Sequence, residues 1–329
     1  TSKPQSAPQD IERAVEILSQ SSRPVLVAGN GVHLSKSHAQ LQQLAEMWGM
    51  PVATSYKGKS AIAETHPLSL GMVGVYGQDE ANKAVGEADT VVVVGAKLTP
   101  QDTVRERPNT FDPRRQKIIQ IDIDDRNAGW TFPLELGLIG DAGNILSQLV
   151  EASSQAASST SSKRQSWVDT MPQRQQDPSF FNDPEMHRDS SPVKPQRLVA
   201  QLQEHLDPST IFALDAGNNR TWMAHFYKAR QANTFFCPGG TAGMGWALPA
   251  AVGLKLVHPD RPVAAVTGDG GYMMVVNALS TAVQYDLPIL CFVFNDGALG
   301  MVRQRQPEDR RIASEFLPTD NAAVARGFG

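Results

Sequence analysis

Hydrophobic and polar positions in the first half of the chain follow two alternating periods, one helical and one extended. Ile11, Ala14, Val15 and Leu18 recur at the spacing of one helical face, which predicts an amphipathic helix. Short runs rich in apolar and β-branched residues predict buried strands. These runs are residues 25–28, 52–54, 91–94 and 118–123.

Helical stripes separate these strands. The apolar positions at helical spacing are Leu41, Leu44, Ala45, Trp48; Ala81, Ala84, Val85, Ala88; and Ile145, Leu146, Leu149. Strands that alternate with helices in this way favour a mostly parallel sheet with helices on both of its faces. We therefore expect a first α/β domain over about residues 9–152.

A change in composition separates this domain from a second α/β series. Ser and Ala dominate residues 151–165, and prolines punctuate the chain up to Pro195, so a linker is expected over residues 153–192. Further strands are predicted at residues 210–214, 262–267 and 287–294. The second domain is expected over residues 193–329. The predicted fold class is α/β, with two doubly wound, mostly parallel-sheet domains.

Composition and charge narrow the classes of function. The chain has 329 residues, 41% of them hydrophobic, and a formal net charge of -4. With no basic stripe, nucleic acid is not an expected partner. Cys237 and Cys291 lack the spacing of a zinc site or a disulfide framework, which favours a reducing cytoplasm. The longest apolar run, residues 287–294, is far below the roughly 20 residues of a membrane span, so no membrane partner is expected.

Candidate chemistry lies where the strand at residues 262–267 ends, in Gly268-Asp269-Gly270. Loops after strand carboxyl ends are where open α/β sheets bind ligands. Glycines allow close backbone approach to a phosphate, and Asp269 offers the hard oxygen that Mg²⁺ prefers. Taken alone, the tripeptide is more often an ordinary turn.

Spacing strengthens the functional interpretation of this tripeptide. The segment from Gly271 to Phe294 is long enough for one helix and one strand before Asn295-Asp296. One right-handed crossover would return the chain parallel to the first strand. Asp269 and Asp296 would then lie at the same end of neighbouring strands, within reach of one metal ion.

This pattern resembles the signature of thiamine-diphosphate-dependent enzymes of the acetolactate synthase type. The resemblance implies that Asp269, Asp296 and the backbone carbonyl of Ala298 hold Mg²⁺ against the diphosphate. Many relatives have Asn where this chain has Asp296. The additional cofactor-binding positions that the resemblance implies are Gly217, Asn218, Asn219, Ala242, Met244, Gly268, Gly270, Gly271, Leu299, Gly300 and Met301.

These implied positions fall into groups with different roles. Asn218 and Asn219 are expected to contact the diphosphate. The carbonyl of Ala242 would accept a hydrogen bond from the 4'-amino group of the aminopyrimidine. Met244 would donate its backbone N–H to that ring and place its polarizable side chain beneath the thiazolium.

The first domain is similar to the middle domain of acetolactate synthases, in motifs such as Gly29-Asn30-Gly31-Val32 and Ile121-Asp122-Ile123-Asp124. In some relatives this domain binds FAD through an Arg after the strand that corresponds here to residues 91–94. This chain has Lys97 there, and Lys cannot make the planar bidentate contact of Arg with a phosphate. FAD binding is therefore disfavoured, and FAD remains an alternative cofactor of this domain.

The resemblance also implies segments that this sequence does not show. Family members carry a pyrimidine-binding domain whose glutamate protonates the cofactor, so no catalytic residue is assigned within this chain. We expect that glutamate in another segment or across the interface of a homodimer or tetramer, and the second domain is expected to continue beyond Gly329.

The implied activity is that of a decarboxylase or carboligase acting on a 2-oxo acid, with the cofactor as electron sink. A catalytically silent binding or regulatory subunit with the same fold is the alternative. A nucleotide-binding module built on the first domain ranks last, because a generic β/α pattern alone supports it.

Overall fold

The computed structural model describes residues 3–329, which form two compact α/β units. The first unit runs to Asp183 and also contains Lys228–Asn233, while the second comprises Pro184–Tyr227 and Thr234–Gly329. Within these described residues, each unit is built on one sheet whose named strands all pair in parallel. The predicted α/β fold class is confirmed.

The first unit contains a six-stranded sheet among the described residues. Its strands are β1 Pro24–Ala28, β2 Val52–Thr54, β3 Ser69–Met72, β4 Thr90–Val94, β5 Lys117–Asp122 and β6 Leu136–Ile139. Their spatial order is β3-β2-β1-β4-β5-β6, so the order reverses between β1 and β4. Its helices are α1 Pro8–Gln20, α2 Asn30–Ser35, α3 His38–Trp48, α4 Asp79–Glu87, α5 Ala142–Ser159, α6 Ser162–Val168 and α7 Met171–Gln176.

Alternate residues of the strands in this sheet enter two separate cores. Leu26 and Val92 pack with α1, α3 and α5 on one face. Val25 and Val91 pack with α4 and Trp167 on the other face. Each such side chain contributes roughly 1.5–3 kcal/mol through burial. Burial on both faces explains why these strands are continuous apolar runs in the sequence.

Three local features of this unit differ from the periodicity expectations. Helix α2 was not predicted, and it opens at Gly29-Asn30-Gly31, with Gly29 as its N-cap. Strand β3 was not predicted, because its glycine interrupts the apolar pattern. This glycine, Gly71, has a φ of 76°, and the pairing of β3 with β2 shifts register beside it. Strand β6 was not predicted because its alternation is weak, and only Leu138 is buried in it.

Helices occupy much of the segment that composition predicts as a linker. Helix α5 extends to Ser159, and α6 and α7 follow it within the first unit. Trp167 and Met171 of these helices are buried in the core of the first unit, where they pack with Val25 and Val91. The indole N–H of Trp167 donates to the carbonyl of Pro24 at 3.1 Å. The functional domain boundaries proposed from composition stay a prediction.

The second unit has a four-stranded sheet in the described part of the chain, with the order β10-β9-β7-β8. Its strands are β7 Ile211–Leu214, β8 Phe235–Phe236, β9 Val263–Gly268 and β10 Leu290–Phe294. Its helices are α8 Pro195–His205, α9 Asn218–Phe226, α10 Ala247–Val257, α11 Asp269–Val275, α12 Ala278–Gln284, α13 Gly300–Arg303 and α14 Asn321–Arg326. Strand β8 was not predicted, because two residues leave no periodicity to detect.

The core of the second unit lies between its sheet and α10. Ile211 of β7 and Val263 of β9 pack there with Leu248 and Ala251. Tyr272 of α11 joins the same cluster, which fixes the start of that helix against the sheet. Every helix in residues 3–329 is too short or too polar to span a bilayer.

A fully buried ion pair lies in the connection between β2 and β3 of the first unit. The Lys59 ammonium lies 2.6 Å from a Glu64 carboxylate oxygen, and both side chains are 0% exposed. The backbone N–H of Ala229 donates to the same carboxylate at 2.6 Å. Burial raises the pKa of Glu64 and lowers the pKa of Lys59, because desolvation disfavours both charges.

We predict that Glu64→Gln lowers the free energy of unfolding by roughly 3–5 kcal/mol, because it leaves the buried Lys59 ammonium without its carboxylate. Urea unfolding followed by circular dichroism measures the change. The double variant Lys59→Met/Glu64→Leu should recover much of the loss, because it removes both buried charges.

Arg126→Gln is the matched control, since it breaks an ion pair with Asp124 whose Arg126 side chain is 85% exposed. Arg126→Gln should lower the free energy of unfolding by no more than about 1 kcal/mol. Equal costs for Glu64→Gln and Arg126→Gln would contradict a structural role for the buried pair.

Candidate cofactor site

The candidate site lies at the carboxyl ends of β9 and β10. Gly268 of β9 is the register partner of Phe294 of β10, and the two strands run parallel. The residues that follow them, Asp269 and Asn295-Asp296, therefore leave the sheet at the same edge. The crossover between the strands contains two short helices, α11 and α12, where the sequence predicts one.

Asp269 is the first residue of α11 and is nearly buried, with 6% exposure. Its Oδ1 accepts a hydrogen bond from the N–H of Gly270 at 2.8 Å. Its Oδ2 accepts another from the N–H of Ala298 at 3.2 Å. The second bond joins the loop after β9 to the loop after β10, and it fixes the direction of the carboxylate.

Asp296 is the second carboxylate of the site and is about half exposed. Its Oδ2 accepts a hydrogen bond from Nη2 of Arg303 at 3.2 Å. Burial, and next the negative charge of Asp269, raise the pKa of Asp296, while Arg303 opposes the shift. Two carboxylates thus repel each other here, and a cation between them would relieve that repulsion.

The donor set fits Mg²⁺, which takes hard oxygen ligands and keeps water or phosphate in its remaining positions. A third oxygen ligand is available besides the two carboxylates. The carbonyl of Ala298 accepts no backbone hydrogen bond within residues 3–329. Two backbone hydrogen bonds hold the segment around Ala298. The N–H of Leu299 donates to the carbonyl of Ser314, and the N–H of Phe316 donates to the carbonyl of Gly297. No group of three or more His, Cys, Asp or Glu side chains that could hold a metal ion is found in the described chain, so the two carboxylates and one carbonyl would leave coordination positions for water or phosphate oxygens.

Two glycines keep space open beside these carboxylates. A Cβ on Gly300 would lie 2.5 Å from Oδ2 of Asp296 and 3.0 Å from the Asn218 amide nitrogen. A Cβ on Gly270 would lie 2.8 Å from a methyl carbon of Leu299. Since real contacts of this length do not occur, side chains here would displace the carboxylate or close the approach.

Asp215 organises the loops around the site, a role that the sequence pattern did not assign. Its fully buried carboxylate accepts hydrogen bonds from the N–H groups of Ala216, Gly245 and Trp246 at 2.8, 2.9 and 3.1 Å. It also accepts one from the hydroxyl of Thr267 at 2.8 Å. One carboxylate thereby ties together the loops that follow β7, precede α10 and end β9.

The predicted diphosphate residues lie on the loop after β7. Gly217 has a φ of 129°, which other residues rarely adopt, and it is the N-cap of α9. Asn218 is the first residue of that helix. The Asn219 side chain is buried and its amide donates to the carbonyl of Val266 at 3.1 Å, so this amide braces the sheet edge.

Most of the predicted residues line one cavity of about 1210 Å³ in the second unit. Met244 contributes to its wall, with its terminal methyl 3.2 Å from the position of a Cβ on Gly270. Ala242 is not part of this lining, although its φ of 49° bends the loop that carries Met244. The predicted residues in the lining are Gly217, Asn218, Asn219, Met244, Gly268, Asp269, Gly270, Gly271, Asp296, Ala298, Leu299, Gly300 and Met301.

The cavity also has walls that the sequence patterns did not identify. Val193 and Leu198 line it from the segment before and within α8, and Trp222 lines it from α9. Arg305 follows α13 and lines it as well. The sequence assigns no role to these residues, because their approach to the cavity depends on tertiary packing.

Two family descriptions match the sequence over separate ranges. The thiamine pyrophosphate enzyme central domain matches residues 11–149. The thiamine pyrophosphate enzyme C-terminal TPP-binding domain matches residues 215–329, the range that holds Asp215 and the metal-site candidates. Together the two matches cover more than half of the chain.

Curated relatives give a consistent result. A probable acetolactate synthase large subunit of Methanocaldococcus jannaschii is 36% identical over 305 residues, which are 91% of this chain and 50% of the relative. The acetolactate synthase large subunit of Corynebacterium glutamicum is 32% identical, over 99% of this chain and 53% of the relative. An acetolactate synthase of Arthrospira platensis is 31% identical, over 91% of this chain and 51% of the relative.

The chain thus spans about half the length of the curated relatives that it matches. The matched half contains both the central and the TPP-binding regions. On these matches and the α/β architecture of both units, the chain belongs to the thiamine pyrophosphate enzyme family, and it is similar to acetolactate synthase large subunits.

Proposed function

We propose that this chain binds thiamine diphosphate with Mg²⁺ and serves a decarboxylase or carboligase that acts on a 2-oxo acid. The observation that carries the proposal is the placement of Asp269 and Asp296 at one edge of the sheet, with the free carbonyl of Ala298 beside them. Such an oxygen set holds Mg²⁺ together with phosphate oxygens.

The residues of this chain would bind and orient the cofactor. Asp269, Asp296 and the Ala298 carbonyl would hold Mg²⁺, and Asn218 would face the diphosphate from the other side of Gly300. The Met244 side chain would support the thiazolium ring, as a soft and polarizable surface. Bound thiamine diphosphate supplies an electron sink for breaking the bond next to the carbonyl of a 2-oxo acid.

Proton transfer to the cofactor would require a group from elsewhere. The cavity of about 1210 Å³ has no glutamate among its lining residues in the described chain. We propose that a pyrimidine-binding segment, in a longer chain or in a partner subunit of a homo-oligomer, provides the proton-relay glutamate. Acetolactate synthase is the activity that the names of these relatives give, and a cytoplasmic location stays a prediction.

FAD is not part of the proposed function. The N–H groups of Gly29 and Gly31 donate to the carbonyls of Val94 and Gly95 at 2.8 and 3.0 Å. A Cβ on Gly29 would lie 2.2 Å from the Gly95 carbonyl oxygen. These glycines therefore let two backbone loops pack together, and their N–H groups are not available to a flavin diphosphate.

Asp269→Ala and Asp296→Ala are each expected to abolish Mg²⁺-dependent binding of thiamine diphosphate, because water replaces an anionic ligand poorly. Isothermal titration calorimetry with and without Mg²⁺ measures this binding. Asp260→Ala, an exposed carboxylate in the turn after α10, is the matched control and should bind like the unchanged protein.

Circular dichroism of each variant separates loss of the ligand set from loss of the fold. Wild-type affinity in both site variants would reject the metal assignment. The same loss of affinity in Asp260→Ala would show that the effect does not belong to the site.

The purified protein is expected to be colourless, without the absorbance of a flavin. Lys97→Arg alone should not create FAD binding, because the backbone groups of Gly29 and Gly31 remain engaged. Absorbance spectra recorded after incubation with FAD and gel filtration measure uptake. One flavin per chain in either protein would contradict the proposal.

A further inference from the structure

Arg305 is the cation of the cofactor cavity. Among the lining residues of the described chain, the other charged side chains are Asp269 and Asp296, which are the candidate metal ligands. Arg303, two residues earlier, forms an ion pair with Asp296. Arg305 is exposed to the cavity and forms no ion pair within residues 3–329. An anion that enters this cavity therefore meets one uncommitted guanidinium.

The backbone around Arg305 is held in place from both sides. The N–H of Arg305 donates to the carbonyl of Val302 at 3.0 Å. The side chain of Gln306 donates to the carbonyl of Ile312 at 3.1 Å and accepts from the hydroxyl of Ser314 at 2.7 Å. Ser314 is also the residue that holds Leu299 beside the metal site. Arg305 thus stands on a wall that is continuous with the candidate metal ligands.

Arg305 lies outside the helix that begins at the metal site. Gly300, which lies against Asp296 and Asn218, begins α13, and that helix ends at Arg303. Arg305 lies in the turn that follows, and within residues 3–329 it forms no ion pair with Asp269 or Asp296. Its guanidinium is thus available to an anionic group of the substrate.

The chemistry of decarboxylation decides which group Arg305 can usefully bind. The 1-carboxylate of a 2-oxo acid leaves as CO₂, and its bonding electron pair stays with the former carbonyl carbon. A cation paired with that carboxylate would stabilise the ground state more than the transition state, and would slow the step. A non-reacting carboxylate keeps its charge throughout, so an ion pair with it does not raise the barrier to decarboxylation.

The geometry points to Arg305 as the residue that selects 2-oxo acids with a second, non-reacting carboxylate, a role that rests on the function proposed above. Arg is suited to this role because its planar fork can bind a carboxylate through two parallel hydrogen bonds. The substrate class is therefore the 2-oxo dicarboxylic acids, and the apolar wall of Val193, Leu198 and Val302 would contact the methylene groups between the two ends.

The test compares 2-oxoglutarate with 2-oxopentanoate, which has the same chain length and no second carboxylate. The full chain is loaded with Mg²⁺ and 3-deazathiamine diphosphate, an analogue whose ring cannot form the reactive carbanion, and binding of each acid is measured by calorimetry. We expect 2-oxoglutarate to bind about tenfold more tightly, as a charge-assisted hydrogen-bonded pair implies.

Arg305→Gln should remove this preference, leave 2-oxopentanoate affinity unchanged, and leave binding of the cofactor analogue unchanged. Arg305→Lys should retain part of the preference, because the charge remains while the fork is lost. The matched control is Arg310→Gln, which removes an exposed cation outside the cavity lining and should keep the full preference.

Three results would overturn the assignment. They are equal affinity of the unchanged protein for the two acids, an equal loss for both acids in Arg305→Gln, and weaker binding of the cofactor analogue by that variant. The last would assign Arg305 to the diphosphate. If the unchanged protein does not bind the cofactor analogue, the proposed function itself fails, and that titration reveals it before any 2-oxo acid is added.

Discussion

The parallel pairing of β9 with β10 is the constraint on which the candidate site depends. Because Gly268 pairs with Phe294, Asp269 and Asp296 leave the sheet side by side, although they are far apart in the sequence. Burial, and next the negative charge of Asp269, raise the pKa of Asp296, and Arg303 only partly offsets the shift. The fold therefore holds two like charges in a place where a divalent cation would stabilise both.

Buried hydrogen bonds keep that edge of the sheet in one arrangement. Asp215 ties three loops to one carboxylate, and Asp269 joins the loop after β9 to Ala298. A charged acceptor with several N–H and O–H donors forms stronger hydrogen bonds than a neutral one. Ligand groups that are positioned in advance lose less entropy when a cofactor binds. The site can thus be built on loops and still present a fixed set of oxygens.

The elements that the sequence predicted share a local signal. Residues 91–94 are four consecutive valines, and their burial on both faces of a parallel sheet explains the run. The spacing from Asp269 to Asp296 fitted a crossover, and the structure brings both carboxylates to one edge. The roles of the individual cofactor residues stay predictions, and Ala242 lies outside the cavity lining.

The features that sequence reasoning missed depend on distant partners. Trp167 reads as part of a polar linker until its packing against Val25 is known. Asp215 lies just after a strand and looks like a turn residue, and its role is hidden in the sequence because its donors include the distant residues Gly245 and Thr267. Arg305 resembles a surface residue in a basic stretch, and only the tertiary fold places it in the cavity wall. Contacts between distant segments leave no period in the chain that could reveal them.

The central claim is that Asp269, Asp296 and the Ala298 carbonyl hold one divalent cation against the diphosphate of the cofactor. Phosphorus NMR of thiamine diphosphate with the protein, titrated with paramagnetic Mn²⁺ in place of Mg²⁺, tests it most directly. The account predicts strong relaxation of both phosphorus resonances at one metal per chain, and none of that site-specific effect in an Asp269→Ala/Asp296→Ala protein that remains folded. Identical relaxation in the two proteins would contradict the account, because the metal would then be bound to the diphosphate without these carboxylates.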